Sequence, residues 1–253
     1  MAILKIFKAA TVALVVASPF PALAGRTNVA VAANFTDAAK EIAASFKTET
    51  GHDAAVSFGS TGQLYTQITQ DAPFEVFLAA DAERPEKAVT DGLAKAENKF
   101  TYAIGKIVLW SKDAARVKDG ETLSAGGFEK IAIANPETAP YGAAAVEAMK
   151  KLGVYDALQP KIVQGNNISQ TLQFIDTGNA ELGFVALSQL AGVEGGSRWE
   201  VPADLYTPIK QDAVLLDKGR GQRGRDRILR VPEERDGDRD HRKIRLRHRC
   251  AVN

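Results

Sequence analysis

Cysteine is nearly absent from this 253-residue chain. The one thiol, Cys250, lies in the terminal segment and has no second cysteine to pair with. That excludes an internal disulfide and any cysteine cluster for zinc, so the fold has to be held by its core. Histidine is almost as scarce: only His52 precedes the terminal segment, and it follows Gly51 in what is expected to be an exposed turn. No Ser-His-Asp set and no metal cluster can be assembled around it. Aromatic residues make up only 7% of the chain while Ala and Gly are plentiful, which favours close helix-on-sheet packing over a sandwich. A Gly-x-x-x-x-Gly-Lys-Ser/Thr loop is missing too, so there is no signal for P-loop phosphate binding. No segment after the first two dozen residues approaches the roughly 20 apolar residues that a membrane-spanning helix needs.

What is present begins with an export pattern. Lys5 and Lys8 give a positive start, Ala10 to Ala17 is apolar, and Ala22-Leu23-Ala24 supplies a small-x-small cleavage site. The apolar run is too short to anchor the chain in a bilayer, so residues 1–24 are read as a signal peptide and the mature chain as starting near Gly25. The net charge of +1 hides an asymmetry. Residues 218–253 hold thirteen Lys or Arg against six Asp or Glu, which leaves the preceding body mildly acidic.

From Thr27 onward, short β-branched or Ala-rich runs alternate with helical patterns, the signature of an α/β architecture. Strands are predicted at 28–33, 54–58, 75–79, 104–110, 130–134, 161–164 and 182–186. The clearest helix is 35–50, with Ala38, Ala39, Ile42, Ala43 and Phe46 on one face and Gly51 as its stop. A counterpart at 143–152 is closed by Gly153. The segment 201–216 reads as a return crossover followed by a strand. A chain that leaves one sheet-forming half, builds another and comes back makes two hinge crossings, which allow two lobes to close on a ligand.

Four strand-to-helix turns are the most informative feature. They are Asn34-Phe35-Thr36-Asp37, Gly59-Ser60-Thr61-Gly62, Pro140-Tyr141-Gly142 and Asn166-Asn167-Ile168-Ser169. Each presents unpaired N–H groups at the positive end of a helix dipole, so each can attract an anion without a charged side chain. Any one of them is also an ordinary N-cap. Two in each half, all at the carboxyl ends of strands, lie where ligands sit in open α/β sheets. A fully deprotonated tetrahedral dianion presents only acceptors and suits a donor-only cradle. Protonated phosphate would also want a carboxylate, and Asp37, the sole carboxylate near these turns, is placed to complement the helix dipole instead. Asp81, at the end of Phe77-Leu78-Ala79-Ala80-Asp81, lacks a partner for acid–base work and is expected to serve a turn or cap. Trp110 and Trp199 are expected to pack in the core.

Val29-Ala30-Val31-Ala32-Ala33-Asn34-Phe35-Thr36-Asp37-Ala38, Phe58-Gly59-Ser60-Thr61-Gly62-Gln63-Leu64, Phe74 to Asp81 and Leu182-Gly183-Phe184-Val185-Ala186 together resemble the periplasmic molybdate-binding proteins of ABC importers. The resemblance extends to about Lys218. It implies a two-lobed periplasmic binding protein of type II, each lobe a mixed sheet flanked by helices, with molybdate or tungstate held in the interlobe cleft by neutral hydrogen bonds. Carried over position by position, it places ligand contacts at Asn34, in Ser60-Thr61, at Tyr141 and at the backbone N–H of Ile168. Some relatives have a cleft tyrosine where this chain has Ala186, and the Tyr141 hydroxyl is expected to replace it. Molybdenum would enter only as the bound oxyanion. There would be no cofactor, no catalytic residue and no nucleic-acid partner, and a monomer in the periplasm would deliver its ligand to a membrane permease.

The expected organisation is a signal peptide at 1–24, a first lobe at 25–103, a second at 104–203, a return to the first at 204–219 and an atypical basic tail at 220–253. The resemblance implies an amphipathic helix on the first lobe where this tail stands, and the Arg-rich text is read as frameshifted or disordered. A functional basic tail is the rival, opposed by the interleaved Asp and Glu. Two further readings compete over function. A sulfate or thiosulfate binder would share the architecture, and cleft size and donor geometry would separate it from a molybdate binder. An enzyme using the same cradle would need a base near Ser60, Thr61 or Tyr141, and the turns supply none.

Overall fold

The computed structural model describes residues 25–219. The readings of a signal peptide at 1–24 and of an aberrant tail at 220–253 lie outside the described residues. In chain order the first part runs β1 (Arg26–Ala32), α1 (Thr36–Thr50), β2 (Asp53–Gly59), α2 (Thr61–Thr69), β3 (Val76–Leu78), α3 (Glu83–Thr90) and β4 (Ala94–Gly105). The second part runs β5 (Ile107–Ser111), α4 (Thr122–Ala125), β6 (Ile131–Ala134), α5 (Pro140–Lys151), α6 (Tyr155–Leu158), β7 (Ile162–Gly165), α7 (Ile168–Asp176), β8 (Leu182–Ala186) and β9 (Ser197–Glu200). β10 (Ile209–Leu216) follows.

These strands form two five-stranded sheets, β2-β1-β3-β10-β4 and β7-β6-β8-β5-β9. Each is mixed. β1, β2 and β3 are parallel, and β10 runs antiparallel between β3 and β4. In the second sheet β6 is parallel to β7 and β8, while β5 is antiparallel to β8 and β9. In both sheets the antiparallel newcomer is the strand that has just crossed from the other lobe. β5, β6 and β8 are buried along their whole length. Such central strands, covered on both faces, read as continuous apolar runs, which is why they were visible in the sequence.

Local signals explain the helices. α1 is closed by Gly51 in the left-handed conformation (φ 71°), whose N–H donates to the Lys47 carbonyl at 2.9 Å. Its expected apolar face is only partly covered: Ala39 and Phe46 are buried, whereas Ala38, Ile42 and Ala43 are half-buried. α5 begins with Pro140 at its first position, where a missing N–H costs nothing. α7 is capped by Asn167, whose Oδ1 accepts from the Gln170 N–H at 3.0 Å.

The run 104–110, expected as one strand, is two. β4 ends at Gly105 in the first sheet and β5 starts at Ile107 in the second, so the chain changes lobe at Lys106. Alternation along a strand does not record which sheet its neighbours belong to, and the change therefore leaves no trace in residue pattern. The sequence also hid the earlier part of β4 and all of β9. Both are edge strands with mostly exposed or half-buried residues, and neither has the apolar alternation of a covered strand. His52 is half-buried rather than exposed, with Nδ1 accepting from the Gly25 N–H at 2.8 Å. Trp110 is buried in β5, and Trp199 packs against the second lobe's main core. Among the described residues no helix is long and apolar enough to cross a membrane.

Candidate ligand-binding site between the lobes

The four turns converge on one cavity where the sheets face each other. Asn34, Gly59, Ser60 and Thr61 line it from the first lobe, and Ala139, Pro140, Tyr141 and Ile168 line it from the second. The cavity is small, about 10 Å³, which leaves no room for an extended ligand. No residue lining it carries a charge. Asp37, the carboxylate of the first turn, is 84% exposed and faces Lys40 at 3.9 Å, one turn along α1.

Each lining donor is placed by a local reason. Ala33–Phe35 form a single 3-10 turn between β1 and α1, so the first N–H groups of that turn, Asn34 among them, have no carbonyl behind them in the helix. Ser60 stands at the N-cap position of α2 but makes no cap bond. Its hydroxyl is 3% exposed as a residue and has no hydrogen-bond partner. A buried hydroxyl left unpaired costs about 1–3 kcal/mol, so Ser60 is a donor held in waiting. Thr61, 1% exposed, accepts from the Ala80 N–H at 2.9 Å through Oγ1. That leaves its own proton to donate elsewhere. Tyr141 is the second residue of α5, and Ile168 is the first of α7, with its N–H at the open end of the helix.

Behind the cavity lies a polar cluster that sequence reasoning missed. Gln211 of β10, 3% exposed, accepts through Oε1 from Asn34 Nδ2 at 2.8 Å, and the Tyr102 hydroxyl shares its one proton between that oxygen at 3.0 Å and the Ala79 carbonyl at 2.8 Å. Its Nε2 donates to the Tyr141 hydroxyl at 3.1 Å. The side chain of Asn34 is thus turned toward β10. Burial pushes the Tyr102 and Tyr141 phenols well above their ordinary value, so both remain protonated donors at any physiological pH. A signal for Gln211 existed: Ile209-Lys210-Gln211-Asp212-Ala213-Val214-Leu215-Leu216 has three consecutive polar residues in an otherwise apolar strand, and the last two of them, Gln211 and Asp212, are buried.

The lobes touch around the cavity. The Gly62 N–H donates to the Thr138 carbonyl at 2.8 Å, Ser169 Oγ to the Ala33 carbonyl at 3.1 Å and Ser188 Oγ to the Asn34 carbonyl at 2.9 Å. Arg84 reaches the Glu137 carbonyl at 3.3 Å while paired with Asp81 at 2.7 Å. Asp81 accepts the Arg84 N–H at 2.9 Å and so caps the first turn of α3, as expected of it. Burial raises its carboxyl above the ordinary value against the opposing pull of Arg84. Among the described residues no group of three or more His, Cys, Asp or Glu is placed to hold a metal ion.

Comparison with known proteins identifies the family and the fold. The chain is 59% identical over 211 residues to the molybdate-binding protein ModA of Rhodobacter capsulatus, covering 83% of this chain and 84% of that one. It is 54% identical over 203 residues to ModA of Azotobacter vinelandii, covering 79% and 81%. Among solved structures, a periplasmic molybdate-binding protein of Azotobacter vinelandii superposes with a TM-score of 0.77 at 39% identity over 80% of this chain and 90% of that one. The expected two-lobed type II architecture is therefore the one found. The sulfate-binding protein SubI of Mycobacterium tuberculosis shares the fold alone, with a TM-score of 0.62 at 9% identity over 81% of this chain and 80% of that one. The relatives at high identity are binding proteins and not enzymes, as the absence of a base in the turns had suggested. The profile of the bacterial extracellular solute-binding proteins matches residues 27–226, and with a charge-free cavity closed between two mixed-sheet lobes, the chain belongs to that family.

Proposed function

We propose that this chain captures molybdate, or equally tungstate, as the substrate-binding component of an ABC importer. The observation that carries the reading is a buried cavity lined only by neutral groups, with the Ser60 hydroxyl unpaired inside it. A tetrahedral dianion offers acceptors on every side and no proton, so it satisfies such a cradle. The names of the relatives at 59% and 54% identity give the oxyanion.

In this reading Asn34 contributes its backbone N–H, because Gln211 already holds its side chain. Ser60 and Thr61 each contribute a hydroxyl proton, Tyr141 its phenol and Ile168 its N–H. Helix dipoles from both lobes add partial positive charge at the same point, without the long-range field of a Lys or Arg. The ligand thereby joins the lobes, and the interlobe hydrogen bonds around the cavity, that of Gln211 to Tyr141 among them, stabilise the closed form. Delivery to a membrane permease from the periplasm, as a monomer, completes the proposal; the N-terminal export pattern supports the address.

Sulfate is the competing ligand, since it shares charge and acceptor number with molybdate, and only size and donor geometry distinguish them. Calorimetric titration of the purified chain with molybdate, tungstate and sulfate tests the reading. Tight binding of the first two with sulfate much weaker is the expected result. Preference for sulfate, or no binding of any of the three, would overturn it.

A further inference from the structure

A hydroxyl is both donor and acceptor, so a donor-only cavity needs something behind each hydroxyl to decide which it will be. For Thr61 that is the Ala80 N–H, which occupies the oxygen and leaves the proton for the cavity. For Tyr141 it is a side chain. Gln211 Nε2 donates to the phenol oxygen at 3.1 Å. With its oxygen engaged from behind, the single proton of Tyr141 is left to point forward.

The direction of the Gln211 amide is itself fixed. Its carbonyl oxygen accepts from Asn34 at 2.8 Å, and the Tyr102 hydroxyl, whose one proton is shared with the Ala79 carbonyl at 2.8 Å, lies 3.0 Å from the same oxygen; reversing the amide would set its NH2 against the Asn34 NH2. The backbone leaves room for this meeting. Gly105, the last residue before the chain crosses lobes, lies directly beneath it, and a Cβ there would collide with the Tyr141 hydroxyl and stand 2.8 Å from Gln211 Nε2. β4 and β10 pair across this point, with Gln211 opposite Ala103 and Ile209 opposite Gly105. Gln211 does not line the cavity.

We propose that Gln211 is a positioning residue for oxyanion binding: held by Asn34 and Tyr102 over Gly105, it turns the Tyr141 hydroxyl into an obligatory donor. This rests on the oxyanion reading above. It assigns to the hinge strand β10, outside the cavity, a share in making the site accept a ligand without protons.

A double-mutant cycle tests it, with molybdate as the probe and calorimetry as the measurement on wild type, Gln211→Met, Tyr141→Phe and the pair, each checked for folding by thermal unfolding. Gln211→Met is expected to weaken binding about tenfold, as for one misdirected hydrogen bond to a charged ligand, and to have almost no further effect once Tyr141 is Phe. Equal losses in both backgrounds would show a merely structural role and overturn the proposal. Should Gln211→Met fail to fold, the same cycle is run with Gln211→Glu, which keeps the shape and the oxygen that Asn34 and Tyr102 contact. Its oxygen in place of Nε2 accepts from Tyr141 and turns the phenol proton away from the cavity. Its loss must then shrink about tenfold in the Tyr141→Phe background, and a loss that does not shrink overturns the proposal. Failure of the wild-type chain to bind molybdate would sink both this proposal and the functional reading, whereas tight wild-type binding with additive losses would sink this one alone.

Discussion

Replacing Ser60 by Ala removes one oxygen atom, and the structure predicts opposite consequences for the empty and the loaded protein. At an ordinary N-cap the change costs about 0.5–2 kcal/mol, because the hydroxyl satisfies a helix N–H. Here it satisfies nothing: the side chain makes no cap bond, and its oxygen is buried and unpaired. Losing it should leave the unliganded chain as stable as before or slightly more so, since an unpaired buried hydroxyl costs about 1–3 kcal/mol. Bound to the dianion, the same hydroxyl makes a charge-assisted hydrogen bond worth about 1.5–3 kcal/mol, so Kd should rise roughly 10- to 150-fold. The two effects separate in one experiment. Thermal unfolding without ligand should give an unchanged or higher midpoint. With molybdate at about 1,000 times the wild-type Kd, ligand stabilises the wild type by about 4 kcal/mol, and a roughly 30-fold loss of affinity removes about half of that. Thr61→Val is the contrast: it also weakens binding, but it lowers the midpoint of the empty protein, because the Ala80 N–H loses its acceptor. The reasoning is refuted if Ser60→Ala lowers the unliganded midpoint by the ~2–4 °C that a lost cap costs a domain of this size while Kd stays unchanged.

Two further outcomes follow from the same geometry. A Cβ at position 62 would lie 3.0 Å from the Thr138 Cα and 3.1 Å from its carbonyl oxygen, so Gly62→Ala should hold the lobes apart; X-ray scattering should show less ligand-induced compaction than in the wild type, with weaker binding and little change in unliganded stability. Tyr102 and Tyr141 have phenols raised by burial, so the folded state keeps protons that the unfolded chain releases from about pH 10 upward. Stability contributed by these two residues is complete below that pH and is lost as pH rises through the folded values. Alkaline unfolding should begin near pH 10, and Tyr141→Phe should flatten the slope, as read from denaturation midpoints at a series of pH values.

Much of this architecture was legible in the residues, and the parts that were not share a cause. α1 was visible because Ala39 and Phe46 sit on one face and Gly51 takes a left-handed conformation that favours glycine. β6 and β8 were visible because both their faces are covered, so no polar residue interrupts them. The crossing at Lys106 was invisible because β4 and β5 are both extended and differ only in their partners. β9 was missed because an edge strand can carry Arg198 and Glu200 into solvent. At the site, the turns that hold Ser60, Thr61, Tyr141 and Ile168 could be named from local turn chemistry, since helix N-termini advertise their donors in the three or four residues around them, while the choice of residue within each turn came from the family resemblance.

The sequence by itself determined that the chain is α/β, that donor-rich turns end its strands, and that no positive side chain or catalytic base accompanies them. Those are properties of neighbours along the chain. The tertiary structure alone decided that turns more than a hundred residues apart share one cavity, that the Ser60 hydroxyl is left without a partner inside it, and that Gln211 stands behind Tyr141 and Asn34. Gln211 meets Asn34 across 177 residues and Tyr141 across 70. A hydrogen bond of that separation depends on where β10 re-enters the first sheet, and that position is set by packing between strands, which no local pattern encodes.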